Sequence, residues 1–130
     1  MRMRLGAKIW LEVNGKSVMG AGRLELLKAI ASEGSIAGAA KKLGISFRRA
    51  WGAVGSAEDN LGMKLLDRRK GGAGGGKTTL TLQARELVAR FETLNRETSD
   101  FAARRFDVLF GGGGAASAPR TDRTGRKRGS

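Results

Sequence analysis

The stretch SIAGAAKKLGISFRRAWGAVGS, residues 35–56, decides the fold of this chain. Ser35 and Ser46 can each cap a helix, because a serine hydroxyl accepts a hydrogen bond from a free backbone N–H at a helix start. Gly44 lies between the two segments and favours the left-handed backbone conformation that ends a helix. Ala39 has the small side chain that a close helix crossing requires. The spacing therefore predicts a helix-turn-helix.

The second of these helices has an apolar stripe and a polar face. At about 100° per residue, the stripe, which we expect to be buried, consists of Phe47, Ala50, Trp51, Val54, Ala57 and Leu61. The opposite face consists of Arg48, Arg49, Gly52 and Ser56. A recognition helix meets base edges with its N-terminal part, so Arg48 and Arg49 stand where guanine readout or phosphate contact occurs. The alternative is an ordinary pair of surface helices with solvated arginines.

The charge balance favours a polyanionic partner. The 130 residues include 25 Lys plus Arg against 12 Asp plus Glu, a formal net charge of +13 with a pI near 11.4. Residues 41–77 hold nine basic and three acidic side chains, and residues 111–130 hold five and one. The excess, +6 and +4, therefore lies around the helix-turn-helix and in the tail, as expected of a nucleic-acid-binding protein.

Several classes of function are excluded by composition. The chain has no Cys and no His, which removes disulfide scaffolds, zinc sites built on those ligands and His-based catalytic triads. We expect no enzymatic activity, no cofactor and no bound metal. No apolar run approaches the roughly 20 residues of a membrane span, and MRMRLG is not followed by a signal core. We expect a cytoplasmic protein of the bacterial nucleoid without a membrane partner.

Two elements precede the helix-turn-helix. Residues 8–13, KIWLEV, are predicted as a strand, and Asn14-Gly15 is a strong turn dipeptide. Residues 22–32 have apolar residues at helical spacing and end near Gly34, which predicts a helix used for core packing.

A wing is predicted at residues 64–82, KLLDRRKGGAGGGKTTLTL, where a basic glycine-rich segment separates two β-like pieces. Such a hairpin beside a recognition helix contacts the DNA backbone or minor groove. The alternative is a solvated loop.

GGAGGGKT, residues 71–78, also matches the phosphate-binding loop G-x-x-x-x-G-K-[ST], but that loop needs a buried strand before it and a helix after it. The charged DRRK before the match is not typical of a buried strand, and the β-branched TTLTL after it is not typical of a helix. These flanks disfavour nucleotide hydrolysis.

A long amphipathic helix is predicted at about residues 83–109, followed by a disordered basic tail over 111–130. Its apolar stripe consists of Ala84, Leu87, Phe91, Leu94, Thr98, Phe101 and Val108. Such a helix is about 40 Å long at 1.5 Å per residue, more than a small domain covers. We therefore expect two chains to pair through it, the alternative being a helix that folds back on its own domain.

LLKAI at residues 26–30, GSIAGAAKKLGISFRRAW at 34–51 and the wing GGAGGGKTTLT at 71–81 carry a family resemblance. Over about residues 8–110 the chain resembles the N-terminal DNA-binding domain of the ModE-type molybdate-responsive transcription regulators. LysR-type regulators share the GSI-x-x-AA-x-x-LG core but not the glycine run of the wing.

The resemblance implies a mostly α winged helix-turn-helix with a small β wing and a long C-terminal dimerisation helix. It implies a homodimer on a palindromic operator in genes of molybdate uptake or molybdenum-cofactor metabolism. The family's C-terminal molybdate-binding domains are replaced here by the tail, so a separate effector-sensing protein is a further expected partner. The dimer contacts implied by the N-terminal strand and the long helix are Ile9, Leu11, Leu87, Phe91, Leu94 and Phe101.

The residues expected at double-stranded DNA are Ser35, Ser46, Phe47, Arg48, Arg49, Gly52, Ser56, Arg68, Arg69, Lys70, Lys77, Thr78 and Thr79. Two other functions fit the same residues. One is a nucleoid-associated protein that coats DNA without sequence choice. The other is a DNA-binding subunit that serves a separate sensor protein.

Overall fold

A computed structural model describes residues 2–69 and 77–111, except for the side chain of Arg69. The elements, in chain order, are β1 (Leu11–Val13), β2 (Lys16–Met19), α1 (Ala21–Glu33), α2 (Ile36–Leu43), α3 (Phe47–Leu61), β3 (Leu66–Arg69), β4 (Lys77–Leu80) and α4 (Leu82–Phe110). The predicted fold class, mostly helical with a small β wing and a long C-terminal helix, is confirmed. The described residues divide into two compact units, Trp10–Ala89 and residues 2–9 together with residues 90–111. We call Trp10–Ala89 the helix-turn-helix unit.

The first hairpin pairs β1 with β2 in antiparallel fashion. Asn14 and Gly15 have φ values of 51° and 78°, the two positive angles that a tight two-residue hairpin turn requires. The predicted strand began at Lys8, whereas the observed strand begins at Leu11. Leu11 pairs with Met19, the last residue of β2, after which the chain turns into α1. The residues before Leu11 therefore have no strand partner within the described part of the chain.

The predicted helix caps are confirmed. The Ser35 hydroxyl accepts a hydrogen bond from the N–H of Gly38 at 2.9 Å, and the Ser46 hydroxyl accepts one from the N–H of Arg49 at 3.0 Å. Gly44 ends α2 with a φ of 72°, in the left-handed region that glycine adopts without strain. Because these contacts are local, they form α2 and α3 at the positions that the sequence predicts.

The core of the helix-turn-helix unit lies between α1, α2 and α3, with β2 and the wing at its sides. Its buried side chains are Val18, Met19, Leu24, Leu26, Leu27, Ala29, Ile30, Ile36, Ala39, Ala40, Ala50, Val54, Ala57, Leu65, Leu66, Leu80 and Ala84. The predicted stripe of α3 is wrong at Phe47 and Trp51, which are 52% and 49% exposed. Small residues occupy the buried positions of α3 where it packs against α2 and β2, so no space is left there for two aromatic rings.

Helix α4 has 29 residues and is about 43 Å long at 1.5 Å per residue. Along its predicted apolar stripe, Leu94 and Phe101 are exposed and Val108 is 68% exposed. Phe91, which we expected to contact a partner chain, is only 1% exposed. Its ring is therefore buried by the chain itself, and the exposed part of the predicted stripe begins at Leu94.

Candidate nucleic-acid interface

The N-terminal half of α3 presents an exposed cationic face. Arg48, Arg49, Gly52 and Ser56 are all exposed. Within residues 2–69 and 77–111, neither guanidinium has an ion-pair or hydrogen-bond partner. The free N–H groups at the helix start add a partial positive charge beside these arginines. The face therefore attracts anions and leaves the arginine donors available.

Gly52 leaves the middle of this face flat. A Cβ placed on Gly52 would meet no other atom within 4 Å, so the space in front of the backbone is open. An alanine would fit there in the free chain, and the absence of a side chain is not required by packing. The position therefore leaves room for another molecule to approach the backbone of α3 closely.

Phe47 and Trp51 lie one turn apart on α3 and form an aromatic pair. The ring centroids are 6.1 Å apart with an interplanar angle of 24°. The Arg68 guanidinium carbon, in β3, lies 4.8 Å from the centroid of the Trp51 ring. This cation–π contact is of a kind that contributes about 0.5 to 2 kcal/mol. It brings the first strand of the wing against the exposed face of the recognition helix.

Trp51 is the functional candidate that the sequence reasoning missed. Helical periodicity placed it with Ala50 and Val54, and the structure buries those two but leaves the indole at the surface. One signal could have found it: a helix that crosses its neighbour closely at alanines cannot also insert a tryptophan at the same crossing. The indole of Trp51 must then lie outside the crossing, in the N-terminal part of α3.

The wing is a two-stranded antiparallel sheet whose pairs run from Leu66 with Leu80 to Arg69 with Lys77. One Glu58 carboxylate oxygen, from α3, accepts hydrogen bonds from the N–H groups of Leu65 at 2.7 Å and Leu66 at 3.3 Å. The start of the wing is thereby fixed to the recognition helix. Asp59, the next residue of α3, is exposed and makes no such contact among the described residues.

Replacing Glu58 with Ala is expected to lower the free energy of unfolding by about 1 to 3 kcal/mol, because two backbone N–H groups lose their acceptor. Asp59→Ala removes the same charge from the neighbouring exposed position and should change stability by less than about 0.5 kcal/mol. Urea denaturation of the two variants gives the comparison. Equal stability of both variants and the unsubstituted chain would show that the Glu58 contacts do not hold the wing.

Thr81 fixes the other end of the wing. Its N–H donates to the Leu65 carbonyl and its hydroxyl donates to the Lys64 carbonyl, both at 2.9 Å. The same hydroxyl accepts from the N–H of Ala84 at 3.1 Å and so caps α4. The two strands of the wing are therefore anchored to the beginning of the long helix as well as to α3.

The second strand of the wing lies beside the turn between α1 and α2. The N–H of Thr78 donates to the Gly34 carbonyl at 2.9 Å, and a Cβ on Gly34 would lie 3.6 Å from Cε of Lys77. Lys77 is exposed, and Ser35 follows Gly34 directly. The Thr79 hydroxyl is also exposed and lies 3.5 Å from the Asp67 carbonyl. This places Lys77 near the start of α2, where its ammonium group can meet a phosphate.

Some expected contacts cannot be placed. Lys70, the glycine run over residues 71–76 and the tail over 112–130 lie outside the described residues, as does the side chain of Arg69.

At Lys77 the chain enters β4, where a phosphate-binding loop would need a helix. Among the residues that are described, no three His, Cys, Asp or Glu side chains cluster as metal ligands. No helix within that part of the chain has the length and apolar character of a bilayer-spanning segment.

Helix α1 is joined to α3 by a hydrogen bond between residues that are distant in the chain. The Arg23 side chain donates from Nε to the Ala53 carbonyl at 2.9 Å. Partial burial lowers the pKa of Arg23 from its usual value. The guanidinium stays protonated at neutral pH, because an arginine loses its proton only in strong base. The contact joins the start of α1 to the middle of α3, and no sequence pattern had indicated it.

Three helices with two capped starts, a glycine turn and a wing fixed to the third helix define a winged helix-turn-helix domain, the fold of DNA-binding regulators. Residues 22–85 match the family described as "Bacterial regulatory helix-turn-helix protein, lysR family". Residues 22–85 therefore form a domain similar to the LysR-type helix-turn-helix.

Curated relatives include proteins named ModE, the family that the sequence resembles. The chain is 38% identical over 88 residues to the molybdenum-pterin-binding protein MopA of Rhodobacter capsulatus, a match covering 68% of this chain and 33% of MopA. It is 37% identical over 87 residues to the transcriptional dual regulator ModE of Escherichia coli K12, covering 67% and 32%. The molybdenum transport protein ModE of Azotobacter vinelandii is 33% identical over 112 residues, covering 84% and 42%. The matches thus span less than half the length of these relatives.

A solved structure shares the fold. The crystal structure titled BenM_DBD/catB site 1 DNA complex superposes with a TM-score of 0.52 at 20% sequence identity. The match covers 74% of this chain and 100% of that chain. At this identity the likeness establishes the winged-helix architecture and no more.

Proposed function

We propose that this chain is a sequence-specific transcriptional regulator that binds a palindromic operator as a homodimer. The observation that carries the proposal is the exposed pair Arg48 and Arg49 at the capped start of α3, unpaired among the described residues and with Arg68 of the wing nearby. The names of the relatives favour genes of molybdate uptake or molybdenum-cofactor metabolism as targets. The proposed location is the bacterial cytoplasm, at the nucleoid.

In the proposed complex, α3 lies in the major groove with its N-terminal half against the base edges. Arg48 and Arg49 contact guanines or phosphates, and Gly52 allows the backbone to approach. The wing contacts the flanking backbone through Arg68, Lys77 and the hydroxyls of Thr78 and Thr79. Ser35 and Ser46, at the starts of α2 and α3, and Ser56 on α3 make further phosphate contacts. Two such subunits reach half-sites about 34 to 36 Å apart.

Selection of bound duplexes from a random DNA pool tests the proposal. A dimer with twofold symmetry should enrich a palindrome whose half-sites are about one helical turn apart. Its affinity should exceed that for random duplex by about 10³ or more. Enrichment of no common sequence would contradict the proposal. It would favour instead a nucleoid-associated protein without sequence choice, which the net charge of +13 also suits.

The proposed dimer uses the apolar surface of α4 that begins at Leu94. Phe101 is 58% exposed on this surface, so Phe101→Asp should place a carboxylate in the interface and shift the chain toward a monomer. Ser99→Asp adds the same group at an exposed position off the apolar stripe and should leave the dimer intact. Sedimentation equilibrium measures the mass of each variant. Equal masses for the two variants would contradict an interface at Phe101.

A further inference from the structure

The aromatic pair, Phe47 and Trp51, lies at the surface of α3. Phe47 and Trp51 are each about half exposed, at 52% and 49%, although Ala50, Val54 and Ala57 of the same helix are buried in the core. The Trp51 ring stacks on the Phe47 ring and lies under the Arg68 guanidinium, and within the described residues its indole N–H has no hydrogen-bond partner. Single exposed aromatics are common, but here two rings stack on each other in the N-terminal half of α3, and Arg68 lies over one of them.

The chemistry of the surroundings indicates what the rings meet. Phosphate groups are bound by charge, and the exposed side chains of Arg48, Arg49 and Arg68 already provide it. Uncharged rings gain nothing comparable from a phosphate, but they bury apolar area against a methyl group. In the major groove, the thymine 5-methyl is the apolar group that base pairs present, and aromatic side chains are among its known contacts.

We propose that Phe47 and Trp51 are specificity-determining residues that pack against thymine 5-methyl groups in the major groove. Arg68 is a positioning residue, because its guanidinium covers the Trp51 ring at 4.8 Å from the centroid and fixes its orientation. The inference rests on the proposed function, that α3 enters a major groove. It adds a base preference, thymine, at positions that the arginines do not read.

Replacing single thymines with deoxyuridine in the duplex selected from the random pool tests the inference, because this change removes only the methyl group. At one or two thymines in each half-site, the unsubstituted chain should lose about fourfold in affinity per methyl, the factor that corresponds to burial of one such group. Phe47→Ala and Trp51→Ala should bind more weakly and lose this sensitivity. Arg48→Ala should bind more weakly and keep it.

The role of Arg68 has its own control. Arg68→Ala should lower the affinity for all duplexes and also reduce the ratio between thymine and deoxyuridine duplexes. Lys77→Ala removes an exposed cation of the second wing strand and should leave that ratio unchanged. Circular dichroism melting should show the fold retained in the ring variants, because both rings are half exposed and their removal leaves no buried cavity.

Trp51 also provides a direct signal of contact. The chain has two tryptophans, Trp10 and Trp51, so Trp10→Phe leaves Trp51 as the single indole. Its fluorescence should change when duplex is added, whereas Trp51→Phe, which retains Trp10, should show a smaller change. An unchanged Trp51 signal at saturating duplex would overturn the inference.

The outcomes separate the inference from the proposed function. A selected sequence with no thymine in its half-sites, or one insensitive to deoxyuridine at every position, overturns the thymine contact and leaves the regulator standing. Full deoxyuridine sensitivity in both alanine variants overturns the assignment to Phe47 and Trp51. Failure to select any common sequence overturns both proposals.

Discussion

Raising the salt concentration from about 50 to about 200 mM should weaken binding of the selected duplex by about 10³ to 10⁵ fold, the range for six to ten phosphate contacts. The reason is that bound phosphates release their counterions when cations of the protein replace them. Each subunit offers at least four exposed cations on the proposed face, Arg48, Arg49, Arg68 and Lys77. Two subunits would therefore neutralise on the order of eight phosphates, within that range.

Fluorescence anisotropy titrations at several salt concentrations measure this dependence. The plot of log affinity against log salt should have a slope of roughly −7 for two subunits and roughly −4 for one, at about −0.9 per phosphate. Lys77→Ala in both subunits should reduce the steepness by about one unit for each lost contact. A slope near zero would contradict phosphate binding by this face, and a slope near −4 would contradict the dimer.

Replacing Arg48 and Arg49 together with Ala should reduce affinity for the selected duplex by about 2 to 6 kcal/mol, the sum of two contacts of about 1 to 3 kcal/mol each. Arg48→Ala alone should cost about 1 to 3 kcal/mol and relax the preference at one base position. Both guanidinium groups lack a partner among the described residues, so their removal leaves no buried group unsatisfied. The loss should therefore appear in binding and not in folding.

Lys77→Ala is the matched control for these variants. Lys77 is exposed at the start of β4, and a phosphate contact carries no sequence information. Its loss should weaken selected and random duplexes by the same factor, whereas loss of Arg48 should weaken the selected duplex more. Competition titrations with the two duplexes measure both ratios. Equal losses on selected and random DNA for all variants would contradict the assignment of base readout to the arginines.

The sequence predicted the helix-turn-helix closely because its signals are local. A serine cap and a left-handed glycine act within about one helical turn, so Ser35, Gly44 and Ser46 could be assigned without knowledge of the tertiary structure. The turn at Asn14 and Gly15 was predicted for the same reason. In each case the backbone conformation follows from the residue itself and its immediate neighbours.

The burial of α3 could not be predicted from periodicity alone. Periodicity assigns residues to a face of a helix, but it does not say how far along the helix that face is covered. The contact with α2 and β2 covers Ala50, Val54 and Ala57, and it leaves Phe47 and Trp51 about half exposed. The exposed surface of α3 therefore includes Trp51, which the sequence had assigned to the core.

The attachment of the wing depends on contacts between residues distant in the chain. Glu58 binds the N–H groups of Leu65 and Leu66 seven and eight residues later, and Thr81 binds Lys64 seventeen residues earlier. The Arg68 contact with Trp51 joins two elements in the same way. No spacing rule predicts such pairs, because they depend on where the hairpin packs. The sequence predicted a wing, and the structure supplies its position.

The most direct test of the central claim is a backbone amide NMR titration of the full chain with the selected duplex. The claim is that the α3 face carrying Arg48 and Arg49 enters a groove of DNA. The largest shifts should then fall on residues 46–56 and on the wing strands, with little change over residues 94–110 of α4. Shifts confined to α4 or to the tail, with residues 46–56 unchanged at saturation, would contradict the claim.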